Sequence, residues 1–530
     1  AHVDMRALFA AMARLVASPL VDQSVLIEGE TGVGKERVAR GLHQLTDETA
    51  ALTWVDCALD DALTHARAAV ASGGTLVLDE PGLLSARAQE QLASALEHRE
   101  ALRVRALTRL NLDALAAQGL NLGATYIGDN IANVSGGTAR GRIHFGRLDL
   151  SAEADLEKMA GWSGGRIFAN VLAIYGRGLS RNYVHNLATI SEIEALPDVR
   201  LYNAYFEQSF FNNRISIRAG QQAADVEFFD SQTDDLFVNG TFGWPAIKAS
   251  NLPAGGPAPP IAVPGLRVKA ALSDQITAFA AVFNGNAAAP GNGDPQLRDN
   301  HGLAYRINDP RWAVGQVRWD YSVELGDIAL PGNFTPGGWR HYGQFDDQRF
   351  TAAGLSIADP SGSGIAAKLR GNWGVFAVFE QTLYRPPGAA PAGFSASVPG
   401  ITAFTRVAYS PPDRNLIDLY MDGGVGFVGF VPGRPLDRFG VAAAYMRISS
   451  AARNLDIDSQ IFSGVLSPVR SNETLIEMIY EAHIKPGWLL APYFQYVFRP
   501  SGGIPNPNDP SGLTRIGDAA VFGLTTTLRY

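Results

Sequence analysis

The chain has 530 residues with 52 acidic against 44 basic side chains, and this net charge of −8 argues against a protein that coats nucleic acid. No run of about 18 apolar residues occurs, which excludes a membrane-spanning helix, although alternating strands of a membrane barrel remain compatible with the composition. The single cysteine, Cys57, excludes a disulfide framework within the chain.

The first predicted element is a helix in "MRALFAAMARLVAS", where Met5, Leu8, Phe9 and Met12 fall at helical spacing. Arg14 interrupts the apolar stretch that an export signal would need, so we expect an amphipathic helix and no signal peptide here. Up to about Leu120, short apolar strands then alternate with helices. "SVLIEG", "GGTLVLDE" and "LRVRAL" are predicted strands, and "KERVARGLHQL" and "ARAQEQLASALEH" are predicted helices. This order predicts a parallel α/β layer.

A phosphate-binding loop follows the first of these strands. "GETGVGKE" fits the pattern G-x-x-x-x-G-K, in which small residues let backbone N–H groups converge on phosphate oxygens and the lysine adds charge. Asp79 would hold Mg²⁺ through water and Glu80 would polarise the attacking water, unless both simply cap their strand. The predicted cofactor is Mg-ATP, bound by Gly29, Glu30, Thr31, Gly32, Val33, Gly34, Lys35, Glu36, Asp79 and Glu80.

These residues resemble the ATPase domain of NtrC-type, sigma-54-interacting AAA+ activators over about residues 1–115. The resemblance lies in "GETGVGKERVARGLH", "WVDCALD" and "GGTLVLDEPGLLSARAQEQLASAL". However, a short "DALTHARAAVA" stands where that family carries its sigma-contacting GAFTGA loop, and Arg109 occupies its polar sensor position. The sequence then departs from the family before its arginine finger and lid. The resemblance implies nucleotide binding, without oligomeric ATP hydrolysis that drives transcription.

From about Asn121 the helical period gives way to strands that alternate polar and apolar residues between turns rich in Gly, Asn, Asp and Pro. In "RLYNAYFEQSFFNNRISIRAGQ" the alternation places Tyr202, Phe206 and Ile217 on one face and Glu207 and Arg218 on the other. A large soluble β protein would alternate too. The long loops, the small and aromatic residues of the apolar face, and the last strand with its aromatic Tyr530 favour a transmembrane antiparallel β-barrel.

From about residue 110 the sequence resembles the carbohydrate-selective porins of the OprB type. The matching segments include "GDNIANVSGGTARG", "DLEKMAGWSGG", "GRGLSRNYVHNLATISEIEALPDVRLYNAYFEQSFF", "RISIRAGQQAADVEFF" and "LFVNGTFGWP". The resemblance implies a mainly β fold, a barrel of about 16 strands, and passive, non-enzymatic diffusion of sugars across the bacterial outer membrane. The expected partners are small glucose-like sugars, outer-membrane lipids and, through the strand ending in Tyr530, the barrel assembly machinery. Nucleic acid is not expected, and both a monomer and a trimer fit.

Charged and aromatic side chains of the lumen would select the sugar by hydrogen bonding its hydroxyls and covering its ring faces. Each could equally be an ordinary solvated lumen charge. The proline-rich "LPAGGPAPPIAVPG" fits a loop folded inward and a surface loop alike. No H-E-x-x-H motif indicates a metal site, and no nucleophile elbow, a G-x-S-x-G motif between a strand and a helix, indicates an enzyme in this part of the chain. The predicted pore-lining residues are Arg147, Asp149, Glu207, Arg218, Asp225, Glu227, Trp244, Arg318, Asp320 and Glu380.

The two predicted domains, residues 1–115 and 116–530, belong to different compartments. We interpret the chain as a fusion in which an ATPase fragment replaces the extreme N-terminus of an outer-membrane porin. The porin carries the function in this interpretation, and the nucleotide-binding fragment is vestigial. The alternative is an ATP-binding regulator of the NtrC type fused to an inert barrel segment, and its weakness is the missing sigma-contacting loop.

Overall fold

The computed structural model describes residues 25–29, 40, 52–56, 61–62, 64–65, 74–79, 102–109, 112–326, 328–386 and 393–529. The chain divides into two compact units, Ala1–Ala117 and Gln118–Tyr530. Across the described ranges, no helix is both long enough and apolar enough to cross a membrane.

The N-terminal unit contains a parallel sheet with the strand order β1-β4-β3-β2. Val55 of β2 and Leu76, Val77 and Leu78 of β3 are buried, as expected for strands covered on both faces. The three predicted strands are confirmed, whereas β2 was not predicted. The predicted helices lie outside the described residues except for Arg40, which is helical. The elements are β1 (Val25–Gly29), β2 (Leu52–Asp56), β3 (Gly74–Asp79), β4 (Leu102–Arg109) and helix α1 (Leu112–Ala117).

The second unit is a closed antiparallel barrel of 16 strands, which confirms the predicted fold class. Each strand pairs with its neighbours in the chain, and β20 closes the barrel on β5. The strands are β5 (Leu120–Gly137), β6 (Gly141–Asp155), β7 (Gly165–Tyr175), β8 (Asp198–Phe210), β9 (Ile215–Gln222), β10 (Val263–Ala271), β11 (Ile276–Asn284), β12 (Arg311–Leu325), β13 (Ile328–Thr351), β14 (Ala366–Tyr384), β15 (Gly400–Tyr409), β16 (Ile417–Val428), β17 (Arg438–Ile448), β18 (Asn472–Lys485), β19 (Trp488–Phe498) and β20 (Gly517–Arg529). The α-helices of the connections are α2 (Leu156–Ala160), α3 (Gly240–Gly243), α4 (Ala246–Asn251), α5 (Pro295–Arg298) and α6 (Ser450–Ser463).

The connections distinguish the two rims of the barrel. Tight turns at 211–214, 272–275 and 486–487 lie at one rim, and connections such as 176–197 and 223–262 lie at the other. In outer-membrane barrels the short turns face the periplasm and the long loops face outside. We therefore refer to the rim with the long loops as the extracellular rim.

Strand β12 shows how alternation sorts side chains between the two faces. Val317 and Trp319 are exposed on the outer face, whereas Gln316 is buried inside, as predicted. Trp312 and Val314 also point inward, although both are apolar and the lumen was expected to be polar. Apolar side chains can point inward here because protein loops, and not water alone, fill the lumen.

Two long loops fold into the barrel and pack against its inner wall. Phe229 of the loop 223–262 lies 4.7 Å from Phe376 of β14, measured between ring centroids. Trp244 of the same loop meets Trp312 of β12 edge to face at 6.4 Å. A continuous apolar core thus joins the loops to the strands inside the barrel. The proline-rich segment belongs to this inward loop, where Leu252, Ala258 and Ile261 are buried.

A β-bulge in β8 corrects one prediction of facing. Between the pairs Ala169–Ala204 and Val171–Leu201, β7 contributes one residue and β8 contributes two, Tyr202 and Asn203. The extra residue reverses the faces along the strand, since side chains alternate with a period of two. Tyr202 is therefore 6% exposed and packs inside the barrel, while Phe206 contacts Trp162 on the outer side. The prediction that Tyr202 and Phe206 share a face is wrong for this reason.

Candidate functional site

Buried carboxylates of β18 hold both inward loops against the wall. Glu473 accepts hydrogen bonds from the backbone N–H groups of residues 187–188 at 2.8 and 2.9 Å. Glu477 does the same for residues 238–239 at 2.7 and 2.9 Å. A loop inside a barrel has backbone donors that water cannot reach freely, and these acceptors satisfy them. The inward position of both acids therefore serves the loops.

A second anchor centres on Arg406 of β15, whose side chain is 0% exposed. Its guanidinium lies 2.5 Å from Asp234 of the loop and 2.5 Å from Asp422 of β16. It also donates to the carbonyl oxygens of Phe229 and Thr241 at 3.0 and 3.2 Å. One guanidinium thus connects the strand wall to three points of the loop 223–262.

The structure corrects the prediction that Glu380 lines an open lumen. Glu380 points inward, as the alternation predicts, but it is only 1% exposed. It accepts hydrogen bonds from the Ser231 hydroxyl at 2.8 Å and from the Thr233 N–H at 3.2 Å. Asn333 donates to its other oxygen at 2.8 Å. The inward loop covers this carboxylate, which binds the loop and does not face water.

Between the inward loops lies a cavity of about 340 Å³. It continues into a second cavity of about 600 Å³, and the two share Arg181, Thr189, Glu194 and Gln296. The predicted residues Asp225 and Trp244 line the first cavity, together with Glu192 and Asp294, which were not predicted. The described part of the lumen therefore contains a continuous space bounded by loop residues.

Ion pairs and carboxyl groups determine the charge of this space. Arg181 pairs with Asp294 at 2.5 Å, and Arg147 lies 4.0 Å from the half-exposed Glu192. Burial raises the pKa of Glu194 to about 7, although hydrogen bonds from Ser180 oppose this shift. Burial also raises the pKa of Asp225 to about 6, and the nearby charge of Glu192 adds to the effect. The cavity therefore has an acidic lining whose charge changes near neutral pH.

A network of two carboxylates and two guanidinium groups lies on the wall formed by β8, β9 and β10. Glu207 contacts Arg218 at 2.9 Å and Arg267 at 3.1 Å. Glu227 of the inward loop contacts the same two arginines at 3.5 and 2.8 Å. Three of these four residues were predicted, and Arg267 was missed. The guanidinium carbon of Arg218 lies 4.3 Å from the ring centroid of Tyr205, which orients it.

The other predicted residues point inward away from the two cavities. Asp149 accepts hydrogen bonds from Asn170 at 2.9 and 3.0 Å. Arg318 and Asp320 pair with each other at 2.8 Å on the inner face of β12.

Trp244, which lines the first cavity, is held in place by a hydrogen bond from its Nε1 to the Gly255 carbonyl at 2.8 Å. The centroid of its ring lies 4.6 Å from the Lys248 ammonium.

The predicted nucleotide site is described only at its edges. Gly29 is the last residue of β1 and Asp79 the last residue of β3, and β4 lies between these parallel strands. Both residues thus stand at the same edge of the sheet, where α/β folds bind ligands. Glu30, Thr31, Gly32, Val33, Gly34, Lys35, Glu36 and Glu80 lie outside the described residues.

Comparisons with known proteins place both parts of the chain. The family described as "Carbohydrate-selective porin, OprB family" matches residues 139–530, and the "Sigma-54 interaction domain" matches residues 5–123. Porin B of Pseudomonas aeruginosa is 22% identical over 414 residues, which cover 73% of this chain and 85% of that protein. The regulatory protein LuxO of Vibrio cholerae is 39% identical over 98 residues, which cover 14% of this chain and only 18% of LuxO.

The barrel also resembles a solved structure. The high-pH structure of OprB from Pseudomonas putida has a TM-score of 0.67 and 19% identity, and the match covers 79% of this chain and 96% of that one. At this identity the likeness establishes the fold. The family match covers most of the chain, and the family and fold are those of a non-enzymatic channel of the outer membrane. The chain belongs to the OprB family of carbohydrate-selective porins.

Proposed function

We propose that the barrel lets small neutral sugars diffuse passively through the cavity between its inward loops. The observation that carries this proposal is the continuous space bounded by residues from the loops 176–197, 223–262 and 285–310. Carboxylates such as Glu192 accept hydrogen bonds from sugar hydroxyls, and Arg181 donates them. Such contacts are weak and exchangeable, which a diffusion pathway requires because the sugar must also leave.

The test uses the full chain refolded in detergent and inserted into planar lipid bilayers. Single-channel conductance is recorded at rising glucose or maltose concentrations. We expect discrete steps that sugar blocks partially, and a weaker block in Glu192→Gln, because this variant keeps the shape of the side chain but removes its charge. Asp274→Asn is the matched control, since Asp274 lies exposed in the turn 272–275, outside the lumen. A block that is unchanged in Glu192→Gln and in Asp225→Asn would refute this cavity as the sugar pathway.

We infer a second candidate function, the binding of Mg-ATP by the N-terminal unit. Two observations support it: the parallel sheet brings the ends of β1 and β3 to one edge, and the sequence GETGVGK continues directly from β1. Lys35 would bind the phosphates and Asp79 the Mg²⁺ through water. Binding of a fluorescent ATP analogue to the full chain, with and without Mg²⁺, tests this proposal. A wild-type protein that binds no analogue would refute it.

A further inference from the structure

The outer face of the barrel carries a shallow apolar groove of about 430 Å³ across strands β10 to β13. Two adjacent rows of outward side chains form it. In the first row Leu266, Val282 and Ala313 lead to Arg340, and in the second row Ala280 and Gly315 lead to Gly338. The small residues of the second row leave a depression beside larger neighbours. The groove lies on the lipid-facing side of the barrel wall, whereas the loops and cavities described above lie inside the barrel.

Arginine side chains surround the extracellular end of this groove. Arg340 is exposed, and its guanidinium carbon lies 5.6 Å from the ring centroid of Tyr342. The register places Arg311 of β12 across from Tyr342, because Trp312 pairs with His341. Arg370 of β14 pairs with Gln344, just beyond the bulge that follows Arg340. Three exposed arginines from three adjacent strands thus lie on one patch of the outer face.

The positive charges of these arginines are available to an external partner. Within the described ranges, Arg311, Arg340 and Arg370 form no ion pair with a carboxylate. The acids nearby are already engaged, since Asp413 pairs with Arg414 at 2.8 Å and Asp346 pairs with Lys368 at 2.5 Å. Arg414 borders the patch and donates to the Gly371 carbonyl at 2.7 Å, but its charge is balanced by Asp413. The patch is therefore positively charged at the level where the apolar outer face ends.

We propose that this groove and its arginines bind a phosphorylated, acylated glycolipid of the outer leaflet, of the lipid A class. An acyl chain lies in the groove over Ala280, Gly315 and Gly338, and a phosphate group contacts Arg340 and Arg311. Charge complementarity selects this occupant, because guanidinium groups match phosphate oxygens in pairs. The aromatic ring of Tyr342 marks the membrane–water interface at which such a headgroup lies.

The test is native mass spectrometry of the detergent-purified full chain titrated with bis-phosphorylated lipid A, with the same lipid after phosphatase treatment, and with phosphatidylethanolamine. We expect discrete binding of the phosphorylated lipid, and at least about 10-fold weaker binding in the double variant Arg311→Gln with Arg340→Gln. Arg142→Gln is the matched control and should bind normally. Arg142 is likewise exposed on the outer face near the extracellular rim, but it lies on β6, roughly across the barrel.

A second variant tests the groove without changing any charge. A Cβ added at Gly315 meets only the Phe279 carbonyl oxygen, at 3.5 Å, so Gly315→Leu fits the backbone and fills the depression. We expect it to weaken binding of lipid A while the channel conductance stays at the wild-type value, which shows that the barrel is intact. Equal binding of the dephosphorylated lipid, or an equal loss in Arg142→Gln, would overturn the proposal. Self-association that Gly315→Leu abolishes, without lipid binding, would instead make this groove an interface between copies of the chain.

Discussion

The buried guanidinium of Arg406 should determine how far the barrel opens. Replacing it with methionine keeps a long side chain but leaves Asp234 and Asp422 buried without their 2.5 Å partner. Removing one member of a buried ion pair typically costs about 3–5 kcal/mol, because the remaining charge is uncompensated. At about 1.4 kcal/mol per factor of ten, the docked state of the loop 223–262 loses on the order of 100-fold or more in population.

We expect Arg406→Met to form a barrel whose inward loop is released. The 16 strands keep their pairing, so the folded protein should still insert into bilayers, with higher mean conductance and weaker block by glucose. Planar-bilayer recordings measure both quantities. Lys368→Met is the control, because Lys368 pairs with Asp346 at 2.5 Å while both side chains are more than half exposed. Such exposed pairs contribute about 1 kcal/mol or less, so this variant should behave as the wild type.

A triple variant distinguishes loss of the ion pairs from loss of packing. Arg406→Met combined with Asp234→Asn and Asp422→Asn removes the orphaned charges together with the cation. Replacing a whole buried network is often neutral, unlike breaking it. Conductance and glucose block should therefore return toward the wild-type values. If the single variant conducts like the wild type, or if the triple variant is as open as the single one, the guanidinium does not hold the loop by these contacts.

Three further predictions concern charge in the lumen and the nucleotide site. Glu194 and Asp225 have pKa values of about 7 and about 6, so both are mostly neutral at pH 5 and ionised at pH 8. The preference of the channel for K⁺ over Cl⁻, measured from reversal potentials, should therefore rise between pH 5 and pH 8. Glu194→Gln with Asp225→Asn should flatten that dependence; an undiminished slope contradicts it. Glu207→Gln and Arg218→Gln should each weaken sugar block indirectly, because their network with Arg267 holds Glu227 of the inward loop against the wall; unchanged block in both would show that this network does not determine the position of the loop. Lys35→Ala should abolish binding of the ATP analogue in a fluorescence titration, and retained binding would place the phosphates elsewhere.

The sequence predicts the strands of the barrel well, because a period of two is a property of each strand alone. Val317 and Trp319 face outward on this basis, and Gln316 faces inward. The period cannot reveal a bulge. Tyr202 and Asn203 together oppose Asn170, which accepts a hydrogen bond from the Asn203 N–H at 2.9 Å. That contact lies across two strands, so the sequence of β8 by itself does not contain it.

The candidate site was predicted less completely for a different reason. Alternation identifies an inward carboxylate such as Glu380, but it does not say whether water or a loop backbone occupies the inside. Glu192, Glu194 and Asp294 lie in segments without any period, and only the tertiary structure brings Arg181 to Asp294 across more than one hundred residues of chain. Loop residues of this kind are found by their contacts alone.

If sugars pass through the cavity as proposed, the selectivity of the channel lies in its loops and not in its strands. Most of the inward polar groups of the strands described above hold the inward loops in place. Four of them are buried and bind loop backbone or loop side chains: Glu380, Arg406, Glu473 and Glu477. The cavity itself is lined by residues of the connections. Substitutions in those connections can therefore change which solute passes while the strands, and with them the barrel, stay as they are. Substitutions of the anchors instead change how much passes, because they alter the position of the loop as a whole.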